Sequence, residues 1–255
     1  MTYTTYFGVE HLDKIFTATR IAFDTETLQL QPETGKLRLL QFGAESTKSI
    51  VVIDLFDVDE DGWDKIDSFL QNGEREWFAH NAVFDLGWFQ ECGLQLNGRI
   101  YCTMIASKLL NNGVPNLKHG LAHLAKRYLD RDISKEQQAS DWGAPVLSKE
   151  QLEYAAKDVE VLLQLDATLP GKIAAAGLDP AYSLECKALP AMAQMWRTGL
   201  PWNRSGLEHP EDIDLVSLRK FEKNVKWHPW EGPKRTPRKM SKNVEWIFWR
   251  VANRT

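Results

Sequence analysis

The chain has 255 residues, 43% hydrophobic and 26% charged, close to the roughly 25% charge of ordinary globular domains, which excludes a disordered, collagenous or rod-like polypeptide. Its net charge of −4 hides an asymmetry. Ser217–Thr255 carries 11 lysines and arginines against three acids, a net of +8, and the preceding residues carry −12; such a basic tail on an acidic body points to contact with nucleic acid or a membrane surface.

Taken in chain order, the N-terminus MTYTTYFGVEHLDKIF lacks the basic-then-apolar layout of a secretory signal. RIAFDTE (20–26), LRLLQFG (37–43) and IVVIDLF (50–56) are β-branched or aromatic-rich runs separated by short polar turns, which predicts an antiparallel meander. From Asp61, Trp63, Ile66, Phe69 and Leu70 recur at helical spacing, with Asp61 as the expected cap. EWFAHN (76–81) reads as a strand and AVFDLGWFQ (82–90) as a helix, followed by helices over 103–111 and 117–129. A loop covers 130–145. Ser148 and Gln151 form a capping box, and Leu152, Ala155, Ala156, Val159, Leu162 and Leu163 give the helix behind it an apolar stripe. A further helix is expected over 181–198, and beyond Gly199 the periodicity is lost until about 241–252. Strands first and helices interleaved afterwards imply a three-layer α/β domain over 1–178, with 179–255 as a helix and a basic, Trp-rich appendage.

No apolar run approaches the roughly 20 residues of a bilayer span. The three cysteines (Cys92, Cys102, Cys186) form no CxxC. They suit a reducing cytoplasm and argue against a disulfide scaffold or a zinc site. The pair His119/His123 lacks the glutamate of an HExxH arrangement and reads as helix surface. Asp57-Val-Asp59-Glu-Asp61-Gly62 matches half of a calcium loop, but the twelfth position is Ser68 instead of glutamate, so an acidic loop is expected there.

The informative residues are acids set in apolar sequence. Asp24 and Glu26 end the strand IAFDTE, where i and i+2 face one side. A bare D-x-E is weak by itself, because Asp158–Glu160 is another. Asp85 lies within AVFDLGWF, so it is either exposed beside a Trp-rich face or a buried carboxylate that needs a partner. Tyr154 and Asp158 are four residues apart on the Ser148 helix and share a face. Four such carboxylates can hold two hard divalent cations through oxygen. Metals about 3.5–4 Å apart serve both the attacking and the leaving oxygen of a phosphoryl displacement.

FDTET (23–27), HNAVFD (80–85) and YAAKD (154–158) resemble the three motifs of the DEDD exonucleases of the DnaQ-like superfamily, in the branch with a tyrosine on the last motif. The similarity extends over roughly 18–170, and the run 135–165 resembles both the proofreading domain of family A DNA polymerases and ribonuclease D. It implies a ribonuclease-H-like three-layer α/β fold with a mixed five-stranded sheet. It also implies two divalent ions, Mg²⁺ or Mn²⁺, one held by Asp24, Glu26 and Asp158 and the other by Asp24 and Asp85. Tyr154 would orient the attacking water. Thr25, Leu28, Asn81 and Phe84 would contact the 3′ end, Leu28 as a wedge beside the terminal base. The family's Asp-Thr-Met is here Cys102-Thr103-Met104, a departure at a position that is not a ligand. Residues 185–208 resemble the entry to a polymerase domain. The expectation is thus a stand-alone, cytoplasmic 3′-5′ exonuclease of single-stranded or frayed DNA ends, with RNA as the alternative substrate and a separate DNA polymerase as a partner in trans. A non-catalytic nucleic-acid-binding subunit is the competing class, and the five intact active-site positions disfavour it. Trp227, Trp230, Trp246 and Trp249 among the basic tail residues suit stacking on single strands, or packing on the core.

Overall fold

The computed structural model describes residues 2–133 and 140–199, which belong to the first of two compact units, Met1–Leu200. The basic tail, the helix expected near 241–252 and part of the 135–165 run lie outside the described residues. A mixed sheet of six strands forms the middle layer: β1 (Thr4–Phe7), β2 (Arg20–Thr27), β3 (Leu37–Ala44), β4 (Ser49–Asp54), β5 (Glu76–Ala79) and β6 (Arg99–Cys102), in the order β1-β4-β3-β2-β5-β6. The expected meander is β2-β3-β4, antiparallel throughout; β5 and β6 add in parallel on one side and β1 in parallel on the other. The sheet has six strands where five were expected. The edge strand β1 has four residues with exposed ends, and TTYF carries too little apolar pattern to announce itself.

Helices α1 (Glu60–Leu70), α2 (Val83–Glu91), α3 (Thr103–Leu110), α4 (Leu121–Leu129), α5 (Lys149–Ala175) and α6 (Asp179–Thr198) flank the sheet. One face carries Phe23, Phe42 and Trp77, packed against Phe69 of α1 and Trp88 and Phe89 of α2. The other carries Ala22, Leu39, Ile50 and Val52 under the Ala155–Val159–Leu162 stripe of α5. Two expectations shift. Asp59, not Asp61, caps α1, accepting from the Gly62 amide at 2.9 Å. Helix α4 starts at Leu121 instead of 117, after Asn116 takes a left-handed φ of 60°. His119 therefore precedes the helix, with Nδ1 at 3.0 Å from Ser107 Oγ. The packing of α6 is against α2 and β6.

Helix α5 is held at two levels, by its own N-cap and by an ion pair to β2. The Ser148 capping box forms as expected, with Ser148 Oγ accepting from the Gln151 amide at 3.2 Å. At the other level, Arg20 at the start of β2 holds Asp166 of α5 through a two-pronged pair at 2.5 and 2.6 Å, and also binds Glu76 of β5. Asp24 lies four residues beyond Arg20, and Asp158 eight residues before Asp166. At about 3.3 Å per strand residue and 1.5 Å per helix residue, both offsets are roughly 12–13 Å. The Arg20–Asp166 rung thus sets Asp158 level with Asp24. Between the rungs the helix comes so close to β3 that a Cβ on Gly43 would sit 2.5 Å from the Val159 side chain.

Candidate active site

Alternation along β2 sends Ala22, Asp24 and Glu26 to the α5 face and Phe23 and Thr25 to the other. Asp24, Glu26 and Asp158 offer carboxylate oxygens that all lie within 4.8 Å of one another. The sequence-expected trio is therefore brought together. Asp158 is only 9% exposed. Charges this close and this sheltered resist ionisation. Burial, then the charges of Asp85, Asp158 and Glu26, hold Asp24 well above the usual carboxylate range. Burial, then Asp158 and Asp85, do the same to Glu26. Asp158 is pushed up to about 6 by burial, against the hydrogen bond it accepts from Tyr154.

Asp85 is buried, 2% exposed, in the first turn of α2. It thus takes the buried alternative of the two open to it, and its partner is Thr25, whose Oγ1 donates to Asp85 Oδ1 at 2.7 Å. Burial pushes Asp85 up to about 7, with the Thr25 hydrogen bond opposing. Its other oxygen, Oδ2, is buried with no hydrogen-bond partner. An orphaned carboxylate oxygen beside three clustered carboxylates suits a hard cation. The donors are all oxygen, with no thiolate or imidazole among them, and fit Mg²⁺ or Mn²⁺ better than zinc or copper.

Tyr154 is half-buried, raised from its ordinary pKa by burial and by Asp158, and packs its ring 6.5 Å from that of Trp142. Leu28 lies against the 140–147 loop, where a Cβ on Gly143 would be 3.6 Å from it. Asn81 is exposed with a left-handed φ of 57°, the bend that turns β5 into α2. Phe84 is half-buried between Trp88 and Trp196, with ring centroids at 6.3 and 5.6 Å.

Three residues at or near the site escaped sequence reasoning. Trp142 backs Tyr154. Arg38, 1% exposed, donates to the Ala144 carbonyl at 2.9 Å and to Asp54 at 2.7 Å, tying the 140–147 loop to β3 and β4. Gln41 of β3 is fully buried opposite Asp24; its only sequence signal is a lone amide within LRLLQFG.

A family model described as the 3′-5′ exonuclease of family A DNA polymerases matches residues 3–174. The chain is 38% identical over 143 residues to DNA polymerase I of Aquifex aeolicus, covering 56% of this chain and 22% of the polymerase. It is 29% identical over 172 residues to ribonuclease D of Escherichia coli, covering 66% of this chain and 43% of that protein. The chain thus spans less than half the length of these two relatives. Among solved structures it is similar to NrnC of Brucella melitensis bound to pGG, at 31% identity and a TM-score of 0.67, covering 78% of this chain and 95% of that one. NrnC has also been solved with bound Mg²⁺, at 30% identity and a TM-score of 0.66. The matched family model and the near-complete span of NrnC agree with the three motifs and the carboxylate cluster: the chain belongs to the DEDD-type 3′-5′ exonucleases.

Proposed function

We propose that the protein is a metal-dependent 3′-5′ exonuclease that removes nucleoside monophosphates from single-stranded or frayed DNA ends. The convergence of oxygens from Asp24, Glu26 and Asp158 within 4.8 Å carries the reading. Asp24, Glu26 and Asp158 would hold one divalent ion, and Asp24 with Asp85 a second. When bound, the ions supply a lowered pKa for the attacking water and neutralise charge on the leaving 3′ oxygen. Tyr154 is half-buried and keeps its proton, so its hydroxyl can hold the water in line while donating to Asp158. Leu28, Asn81 and Phe84 would orient the terminal nucleotide, and Thr25 keeps Asp85 turned toward the site. Residues 1–178 form the catalytic domain in this reading, and the basic tail, Ser217–Thr255, would add affinity for the strand. A DNA polymerase acting in trans would be its replicative partner.

The identity to DNA polymerase I supports DNA as substrate. A second reading, short RNA, is favoured by the 95% span of NrnC, a structure bound to pGG. Matched DNA and RNA oligonucleotides, each 3′-labelled, in Mg²⁺ and in EDTA, separate the two. Release of labelled monophosphate from DNA at the higher kcat/KM is expected. Preference for RNA would reverse the choice, and hydrolysis in EDTA would end the metal mechanism.

A further inference from the structure

Gln41 is fully buried, and neither its amide nitrogen nor its amide oxygen has a hydrogen-bond partner. A buried amide left unpaired at both ends is rare, and an apolar side chain of similar size would avoid the cost. The strand register explains where it points. Gln41 pairs directly with Asp24 across the antiparallel β2–β3 ladder, so both side chains leave the sheet on the α5 side, with Cβ atoms about 4.5–5.5 Å apart. On its other flank Gln41 pairs with Val52, and its same-face neighbours along β3 are Leu39 and Gly43, none of which offers a polar side-chain atom. Within its own layer, the polar group opposite the amide is the Asp24 carboxylate.

We infer that Gln41 is a positioning residue for the metal centre: its amide N–H₂ donates to the Asp24 carboxylate when a divalent ion is held there. This rests on the proposed metal-dependent reading and adds a residue that the carboxylate motifs do not include. Asp24 is the carboxylate that this reading assigns to both ions, so its two oxygens must point in fixed, different directions. A neutral donor suits that task. It steadies the ionised carboxylate without adding charge to a cluster that already repels itself, and a lysine or a second acid would change the charge the ions see. The amide is fully buried, with apolar Leu39, Val52 and Gly43 around it in the sheet, so water does not compete for its donor.

The test uses the full-length chain, with Mn²⁺ titration monitored by electron paramagnetic resonance, melting in EDTA, and single-turnover digestion of a 3′-labelled strand. Gln41→Leu removes both unpaired atoms at similar volume. The expected result is a melting temperature in EDTA no lower than that of the parent chain, a Kd for Mn²⁺ weakened about 10- to 100-fold, and a matching loss of rate that high Mn²⁺ partly restores. An unchanged Kd and rate in a folded Gln41→Leu variant would overturn the inference. Gln41→Glu keeps the oxygen but loses the donor. It should not restore Mn²⁺ affinity; tighter binding with full activity would mean that Gln41 acts as a ligand oxygen and would also overturn it. A measurement without substitution covers the case of misfolding: the Gln41 side-chain N–H₂ resonance should move downfield on addition of Mg²⁺, and a fixed position would refute the donor role. Asp24→Asn serves as the control, since Mn²⁺ binding that survives it would refute the metal reading itself and not merely the part of Gln41.

Discussion

Thr25 Oγ1 donates to Asp85 Oδ1 at 2.7 Å, joining the strand that carries two of the clustered carboxylates to the helix that carries the fourth acid. The bond leaves Asp85 Oδ2 buried and unpartnered. One oxygen is thus spent on orientation, and the other would be the one to meet a cation in the proposed reading. The same division of labour recurs at Asp158, which accepts from Tyr154 while facing Asp24 and Glu26. Asp85 and Asp158 are thus each held by a hydroxyl, one from the facing strand and one from the preceding helical turn.

Replacement of Asp24 by Asn should separate stability from activity. Removing one charge from the cluster relieves repulsion, so the melting temperature in EDTA should rise. Digestion of a labelled single strand should fall by at least about a hundredfold, because groups aimed at charge developed in the reaction are worth about that much. Parallel melts and rate assays check both. A variant that melts lower and cleaves normally contradicts the assignment.

The pH dependence of the metal-free protein should have a definite sign. Asp85 and Asp158 are pushed up to about 7 and about 6 by burial, from unfolded values near 4. The folded state therefore keeps protons that the unfolded chain has released. Stability from these groups is complete below about pH 4 and is lost as pH rises through about 6 and 7. Melts in EDTA between pH 5 and 8 should drop accordingly, by an amount of order a few kcal/mol. Saturating Mg²⁺ should flatten or reverse the slope, since the cation replaces the protons. A flat profile in EDTA would contradict the burial of both groups.

Tyr154→Phe should retain Mn²⁺ affinity and slow cleavage by about 10- to 100-fold, the worth of a hydrogen bond to a charged partner. Equal loss of affinity and rate would mean that the hydroxyl acts only by holding Asp158. Comparing the two constants on one preparation decides the matter.

Gly43→Ala tests the approach of α5 to the sheet. The added Cβ would meet the Val159 side chain at 2.5 Å, and forced overpacking costs about 1–3 kcal/mol. Because Val159 adjoins Asp158, the helix should also lift that carboxylate away from Asp24. A fall in melting temperature together with weaker Mn²⁺ binding is expected; a fall in stability alone would show that Val159 gives way without moving its neighbour.

The three motifs, the β2-β3-β4 meander and the Ser148 helix were legible in the linear chain because each depends on short-range periodicity. Alternation puts Asp24 and Glu26 on one side of a strand, and a four-residue step puts Tyr154 beneath Asp158. Burial could not be read that way. AVFDLGWF left Asp85 open to an exposed or a buried position, and the choice came from Thr25, sixty residues earlier in the chain. The edge strand β1 was missed because its four residues, exposed at both ends, gain their place from pairing with β4. Gln41 looked like an isolated polar residue in an apolar strand until the register set it against Asp24. Periodicity is a property of neighbours along the backbone, so the residues alone determine it. Desolvation, repulsion between carboxylates and the leveling of α5 by Arg20 and Asp166 depend on groups brought together across the chain, and those only the folded protein decides.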